Sequence, residues 1–163
     1  MILFGLIFDS DKILKKYMKK LLLLPLFLII SQISFAQAWS GNGDQKVQIG
    51  LSGWGNGTGI TGTYDYGISD LISLGGGANF YFSGYKDDKK DNNFFLFGRV
   101  NFHLQEVLGL PEQWDIYPGA DVGVLGNTFG LGVHLGARYF FNDKFGVFLE
   151  AGNNGSLGVS INL

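Results

Sequence analysis

The last part of the chain alternates apolar and polar residues with a period of two. Three runs between Leu131 and Leu163 place apolar side chains on one face: Leu131, Val133, Leu135, Ala137, Tyr139 and Phe141; Phe145, Val147, Leu149 and Ala151; Leu157, Val159, Ile161 and Leu163. Asn142-Asp143 and Asn154-Gly155 separate these runs, and short turn signals between alternating runs predict antiparallel hairpins. The sequence therefore predicts three consecutive antiparallel strands at its end.

The same alternation predicts five earlier strands. They run from about Val47 to Trp54, Ile60 to Ile68, Leu71 to Phe82, Phe94 to Leu104 and Ile116 to Val124. The pattern gives no helix after the first 36 residues. A last strand without a partner would leave an exposed edge, which closure of the sheet removes. We therefore expect an all-β fold, an eight-stranded antiparallel up-and-down barrel.

The start of the chain has the pattern of a secretory signal peptide. Lys19-Lys20 precedes ten apolar residues, Leu21 to Ile30, and small residues follow at Ser34 and Ala36. Cleavage after Ala36 is the first choice, and cleavage after Ala38 is the second. The alternative, a retained membrane anchor, is disfavoured because a spanning helix needs about 20 residues.

These patterns divide the chain into three parts. Residues 1–17 contain Asp9 and Asp11 and are interpreted as a mis-annotated extension, with Met18 as the initiator. Residues 18–36 are the signal peptide, and residues 37–163 form the β-barrel.

The polar face decides which side of the barrel is inside. A soluble lipocalin-type barrel would have its apolar face inside, whereas a membrane barrel would have it outside. The polar face holds many glycines: Gly50, Gly75, Gly77, Gly119, Gly123, Gly130, Gly132, Gly136, Gly146, Gly152 and Gly158. Glycine weakens a water-facing strand, but it fits the crowded interior of a small barrel.

Charged and aromatic residues support the same choice. Lysines are expected in loops and turns, at Lys46, Lys86, Lys89, Lys90 and Lys144. An arginine on a lipid-facing surface at mid-depth would cost about 2–4 kcal/mol, and the mid-strand charges avoid that face. Aromatics near strand ends are typical of membrane–water girdles, for which the sequence predicts Trp54, Tyr81, Trp114 and Tyr139. A transmembrane barrel is therefore predicted.

Composition excludes several functional classes. Glycine (26 residues) and aromatics (15%) are abundant, and charged residues (16%) are sparse for a soluble domain. The net charge of −2 disfavours a nucleic-acid partner, which requires a basic face. Because the chain has no cysteine, neither a disulfide nor a thiolate metal site is available.

The chain resembles the small eight-stranded outer-membrane β-barrels of Gram-negative bacteria, of the Bacteroidota type and the opacity/porin-like superfamily. The segments that carry the resemblance are SFAQA (34–38), YDYGISDLISLGGGANFYF (64–82), LGARYFFNDKFGVFLEAG (135–152) and GVSINL (158–163). The resemblance implies an outer-membrane location, contact with lipid and lipopolysaccharide, and insertion by the assembly machinery that reads the last strand. That strand usually ends in an aromatic residue, but it ends in Leu163 in this sequence.

Charged side chains on the polar face form the main candidate site. A lumen network is predicted from Asp65, Arg99, Asp121, Arg138, Glu150, His103 and His134. Buried charge is tolerated when it is paired, and two arginines can satisfy several carboxylates. We expect an ion-pair network that fills the lumen of a non-enzymatic protein with a structural or surface-interaction role. The alternative use of these charges is a gated or narrow polar path.

Two other functions remain open from the sequence. A transport or binding protein for a small apolar ligand would need a cavity, or a lateral opening where Gly75–Gly77 leaves little side-chain volume. A lipid A-modifying enzyme would use His134 with Ser160 and Glu150, the available partners for a triad. A soluble, secreted ligand-binding barrel is a minor further alternative. No catalytic residue, metal site or cofactor is predicted.

Two local motifs carry little function. Gly57-Thr58-Gly59-Ile60-Thr61-Gly62 matches the dinucleotide pattern G-x-G-x-x-G, but that motif requires a following helix. The charged run Lys86 to Asn93 is expected to be a solvated surface loop, although its charges could hold a divalent cation or touch lipopolysaccharide. Its charged members are Lys86, Asp87, Asp88, Lys89, Lys90 and Asp91.

Overall fold

A computed structural model describes residues 36–55, 57–85, 92–126 and 128–163. They form eight strands: β1 (Gln45–Trp54), β2 (Gly59–Gly67), β3 (Ile72–Tyr85), β4 (Asn92–Phe102), β5 (Trp114–Leu125), β6 (Thr128–Phe140), β7 (Phe145–Gly152) and β8 (Gly155–Asn162). Each strand pairs antiparallel with the next, and β8 pairs with β1. The prediction of an eight-stranded, closed antiparallel barrel is confirmed. The predicted extension, the signal peptide as far as residue 35, and the loop residues 86–91 lie outside these ranges.

The two ends of the barrel differ in their connections. At one end of the barrel, which we call the terminal end, β1 begins and β8 ends; the connections 68–71, 103–113 and 141–144 lie there as well. The opposite, distal end carries the other four connections. Turn residues fix the short terminal connections. The Ser69 hydroxyl accepts a hydrogen bond from the amide of Ile72 at 3.0 Å, and Asn142 Oδ1 accepts one from the amide of Phe145 at 2.8 Å. Such side-chain bonds to the backbone are typical of Asx and Ser turns.

The alternating side chains place the apolar face outside. Leu135, Val147 and Val159 are 55%, 38% and 46% exposed, whereas Arg138 and Glu150 are 0% and 8% exposed. A soluble barrel would show the opposite arrangement. The prediction that apolar side chains face outwards and charged ones inwards is therefore confirmed.

Glycines inside the barrel make room for large interior side chains. A Cβ on Gly136 would overlap the ring of Tyr117, and one on Gly77 would overlap the ring of Phe97. At Gly75 it would meet Asp65. The lateral opening suggested at Gly75–Gly77 is therefore wrong, because neighbouring side chains already occupy that space.

The segment before β1 closes the terminal end. Ala38 and Trp39 are 0% and 4% exposed. The Ala38 amide donates a hydrogen bond to the carbonyl of Glu112 at 2.7 Å, and the Trp39 indole donates one to the carbonyl of Asp70 at 2.6 Å. These residues precede the first alternating run, so the period-two pattern gave no indication that they fill the barrel mouth. Within the described ranges, no helix has the length and apolarity to cross a bilayer.

The distal rim is uneven beside β6. β6 pairs with β7 only from His134 to Phe140, although β6 itself begins at Thr128. Thr128–Val133 therefore has β5 on one side and no paired strand of the described sheet on the other. We call this segment the free β6 edge.

We predict that Gly136→Val destabilises the barrel. The added side chain overlaps the buried Tyr117 ring, and overpacking of this kind costs about 1–3 kcal/mol. The temperature at which the folded species is lost in heat-modifiable gel migration should fall. Gly53→Val is the matched control, because a Cβ on Gly53 meets no atom within 4 Å. Equal unfolding temperatures for the two variants would contradict this view of the interior.

Candidate functional site

The candidate site is the polar interior of the barrel, to which every strand contributes. Its centre is Asp65 on β2, which lies between the two arginines. Arg138 Nη2 donates a hydrogen bond to Asp65 Oδ2 at 2.7 Å. Arg99 Nε lies 3.3 Å from Asp65 Oδ1, within ion-pair distance but without hydrogen-bond geometry. One carboxylate therefore couples β2 to β4 and β6.

Glu150 and Tyr117 extend this network across the barrel. Arg99 Nη2 donates a hydrogen bond to Glu150 Oε1 at 2.6 Å, and the Tyr117 hydroxyl donates to the same oxygen at 2.8 Å. The guanidinium carbon of Arg138 lies 4.0 Å from the centroid of the Tyr117 ring. The central charges therefore have ionic, hydrogen-bonding and cation–π partners, as buried charges require.

The terminal half of the interior contains a hydroxyl, an imidazole and a carboxylate in line. His103 Nδ1 lies 2.8 Å from Asp115 Oδ2, and its Nε2 lies 2.9 Å from the Ser73 hydroxyl. These distances match a Ser–His–Asp triad. All three residues are buried, however, and the Trp39 ring stacks on His103 with centroids 3.4 Å apart. A triad nucleophile must be accessible to substrate, which the Ser73 hydroxyl is not.

Lys46 lies at the terminal end of this interior. It is buried in β1, and its ammonium lies 2.5 Å from Asp44 Oδ1 and 2.9 Å from Asn162 Oδ1. The prediction that Lys46 belongs to a loop or turn is wrong. Its side chain is on the inward-facing side of β1, and the Asp44 carboxylate compensates the charge of the buried ammonium.

The distal half is organised by His134. Its Nδ1 lies 2.9 Å from Asp121 Oδ2, and its Nε2 lies 2.9 Å from Asn101 Oδ1 and 3.1 Å from Arg99 Nη2. The suggested trio of His134, Ser160 and Glu150 is not formed by these contacts. In the described ranges the Ser160 hydroxyl has no hydrogen-bond partner.

The structure thus brings together all seven residues of the predicted lumen network. They occupy two connected groups: His103 joins Arg138 through Asp115, whereas Asp121 and His134 join Arg99. Asp115 and Asp44 were missed in the sequence. Asp115 is six residues from Asp121 on β5, so the alternation of that strand places both side chains inside the barrel. Asp44 precedes β1, where alternation gives no prediction.

The predicted girdle residues divide into two sets. Trp54 and Trp114 are 47% and 44% exposed on the outer face, and the Trp114 and Tyr139 rings lie 4.9 Å apart. The assignment of Tyr81 to the girdle is wrong. Tyr81 is 0% exposed, and its hydroxyl lies inside the barrel, 3.0 Å from Asn79 Nδ2. Tyr81 is two residues from the inward-facing Asn79 on β3, so the alternation of the strand turns its side chain inwards although it lies near the strand end.

Little free space remains in the charged centre. The cleft bordered by Arg99, Asp121, His134 and Glu150 has a volume of about 20 Å³. In the described ranges, no group of three or more His, Cys, Asp or Glu residues is placed to hold a metal ion.

Fold and interior together define a class: a closed, eight-stranded antiparallel barrel similar to transmembrane β-barrels. A solved structure described as a de novo design of transmembrane β-barrels matches with a TM-score of 0.61 and 15% identity. The match covers 77% of this chain and 99% of the designed one. The chain belongs to a family of unknown function (DUF6646), whose model matches residues 29–156. No curated protein matches this sequence.

We predict that Arg99→Ala combined with Arg138→Ala strongly destabilises the barrel. The double variant leaves Asp65 and Glu150 buried without their cations, and breaking a buried pair costs about 3–5 kcal/mol. Loss of the folded species in heat-modifiable migration should occur at a much lower temperature. Lys144→Ala, in an exposed turn, is the control. A double variant that melts like this control would refute a stabilising network.

We also predict that mild acid weakens the barrel through His103, which follows β4. Burial lowers the pKa of His103 below its ordinary value of 6.5; Asp115 acts to raise it and Arg138 to lower it. Because the unfolded state then binds the proton more tightly, stability present above pH 6.5 is lost as the pH falls below it.

The measurement is the unfolding temperature between about pH 7.5 and about pH 5, on either side of the histidine pKa. It should fall on acidification, and His103→Gln should make the fall shallower. His134 is retained in both proteins. An unchanged slope in the variant would count against His103 as the titrating group.

Proposed function

We propose that the protein is an integral outer-membrane β-barrel of the Gram-negative, Bacteroidota type, with a filled lumen and no catalytic activity. The observation that carries the proposal is the distribution of side chains. The exterior is apolar along the strands, whereas ion pairs such as Arg99–Glu150 and Arg138–Asp65 occupy the interior. In lipid, a closed barrel satisfies its backbone hydrogen bonds, and an apolar exterior lowers the free energy of insertion.

Two segments of the sequence support a route to the outer membrane. Residues 18–36 act as a signal peptide, cleaved after Ala36 or Ala38. The assembly machinery then recognises β8 (Gly155–Asn162). Outer-membrane lipid and lipopolysaccharide are the partners of the folded barrel. With the terminal end facing the periplasm, the loop at 86–91 lies at the cell surface and is its site of weak interaction.

A structural role is favoured over solute passage by two features. The cleft beside Arg99, His134 and Glu150 has a volume of only about 20 Å³. The terminal mouth is occupied by Trp39, which stacks on His103 and bonds to the backbone of Asp70. A hydrated path would have to break both the central ion pairs and this packing.

We expect the protein to fractionate with carbonate-washed membranes, to require detergent for extraction, and to show heat-modifiable migration. In planar bilayers it should produce no reproducible single-channel steps, because the ion pairs block the lumen. Release by carbonate would contradict the membrane location. Reproducible steps from the inserted barrel would instead support transport, and Arg99→Ala provides a comparison in which one of the blocking side chains is removed.

A further inference from the structure

Among the described strands, the free β6 edge is the longest segment that lacks a paired strand on one side. β6 has 13 residues, whereas β7 and β8 have eight each. A tilted strand needs about 9–11 residues to cross the hydrocarbon layer. If the barrel spans the membrane as proposed above, β7 and β8 end within that layer while β6 continues past them.

The free β6 edge carries apolar side chains on the outer face of the barrel. Phe129, Leu131 and Val133 are 66%, 74% and 65% exposed on the outer face. Asn153 covers the first step of the edge, where its side-chain oxygen accepts a hydrogen bond from the Val133 amide at 2.8 Å. Strand pairing stops beyond this point. Unpaired backbone polar groups in hydrocarbon are costly, so a polar ligand group at this opening would be stabilising.

The opening leads to a cavity of about 220 Å³. Gly130 and Gly132 line its β6 side, and a Cβ on Gly130 would meet nothing within 4 Å. Leu125 and Phe129 supply apolar walls, whereas the inner part is bordered by Asp121. The cavity therefore changes from apolar at the lipid side to acidic at the barrel interior.

Among the described interior carboxylates, Asp121 is the one without an arginine or lysine partner. Glu150 pairs with Arg99 at 2.6 Å, and Asp65 pairs with Arg138 at 2.7 Å. Asp121 Oδ2 contacts the His134 ring, and its Oδ1 has no hydrogen-bond partner in the described ranges. The Asp121 side chain remains 19% exposed and borders the cavity, so a ligand that brings a positive charge and N–H donors would pair with this carboxylate.

We propose that this lateral opening binds an aliphatic amphiphile with an ammonium head. The head lies against Asp121, and the chain leaves beside Phe129 and Leu131 at the free β6 edge into the surrounding lipid. This inference rests on the proposed membrane location, because the ligand enters from the hydrocarbon layer. It adds a binding site to a barrel whose lumen is otherwise closed, and it needs no path through the ion pairs.

The test compares spin-labelled octadecylammonium with spin-labelled octadecanoate in phosphatidylcholine vesicles that contain the full barrel. Electron spin resonance measures the motionally restricted fraction of each label. We expect the ammonium to be preferred, and Asp121→Asn to reduce that preference by about tenfold, the effect of losing a charge-assisted hydrogen bond. Asp143→Asn, in a turn at the terminal end, removes the same charge away from the cavity.

A second pair of variants tests the cavity itself. Gly130→Leu should fill the opening and abolish the preference, whereas Gly53→Leu, on open surface elsewhere, should retain it. Equal restriction of both labels, or a Gly130→Leu variant that behaves like the native chain, would overturn the proposal. Cross-linking that finds the free β6 edge paired with a second copy would also overturn it.

Heat-modifiable migration of each vesicle sample distinguishes a failure of ligand binding from a failure of membrane insertion. An inserted barrel without ammonium preference overturns this inference alone. A chain that fails to insert at all overturns the membrane location and the inference with it.

Discussion

The bridge from Asp65 to Arg138 and Arg99 is the interaction on which the interior depends. A small barrel with an apolar exterior must put its polar side chains in the middle, where unpaired charge is expensive. One carboxylate that faces two guanidinium groups, with Glu150 and the Tyr117 hydroxyl beside them, compensates that charge. The glycines follow from this requirement, because large charged and aromatic side chains fit only where their neighbours have none.

Alternation predicted the strands, their antiparallel order and the inward position of all seven residues of the predicted lumen network, because period two is a local property. It failed where local periodicity ends. Trp39 and Asp44 precede the first strand, and Lys46 stands at its start, so their place in the barrel mouth depends on tertiary packing. Tyr81 lies near a strand end, as girdle residues do, but the alternation of β3 turns its side chain into the barrel.

The free β6 edge shows another limit of sequence reasoning. Turn signals place strand ends to within a few residues, but the length of an unpaired edge depends on the register between β6 and β7. Which carboxylate goes without a cation also depends on register. Asp65 and Asp121 are both inward and mid-strand, yet the arginines pair with Asp65, whereas Asp121 pairs with the ring of His134 in the described part of the chain.

The seam between β1 and β8 has a consequence for how the barrel forms. Every other strand pair is a hairpin of neighbours in the chain, whereas the seam joins Lys46 to Asn162 across 116 residues. Its middle is the pair Gly50 and Gly158, where an added Cβ would strike the opposite backbone. Loop-closure entropy is largest for this contact, so we expect the hairpins to form first and the ring to close last.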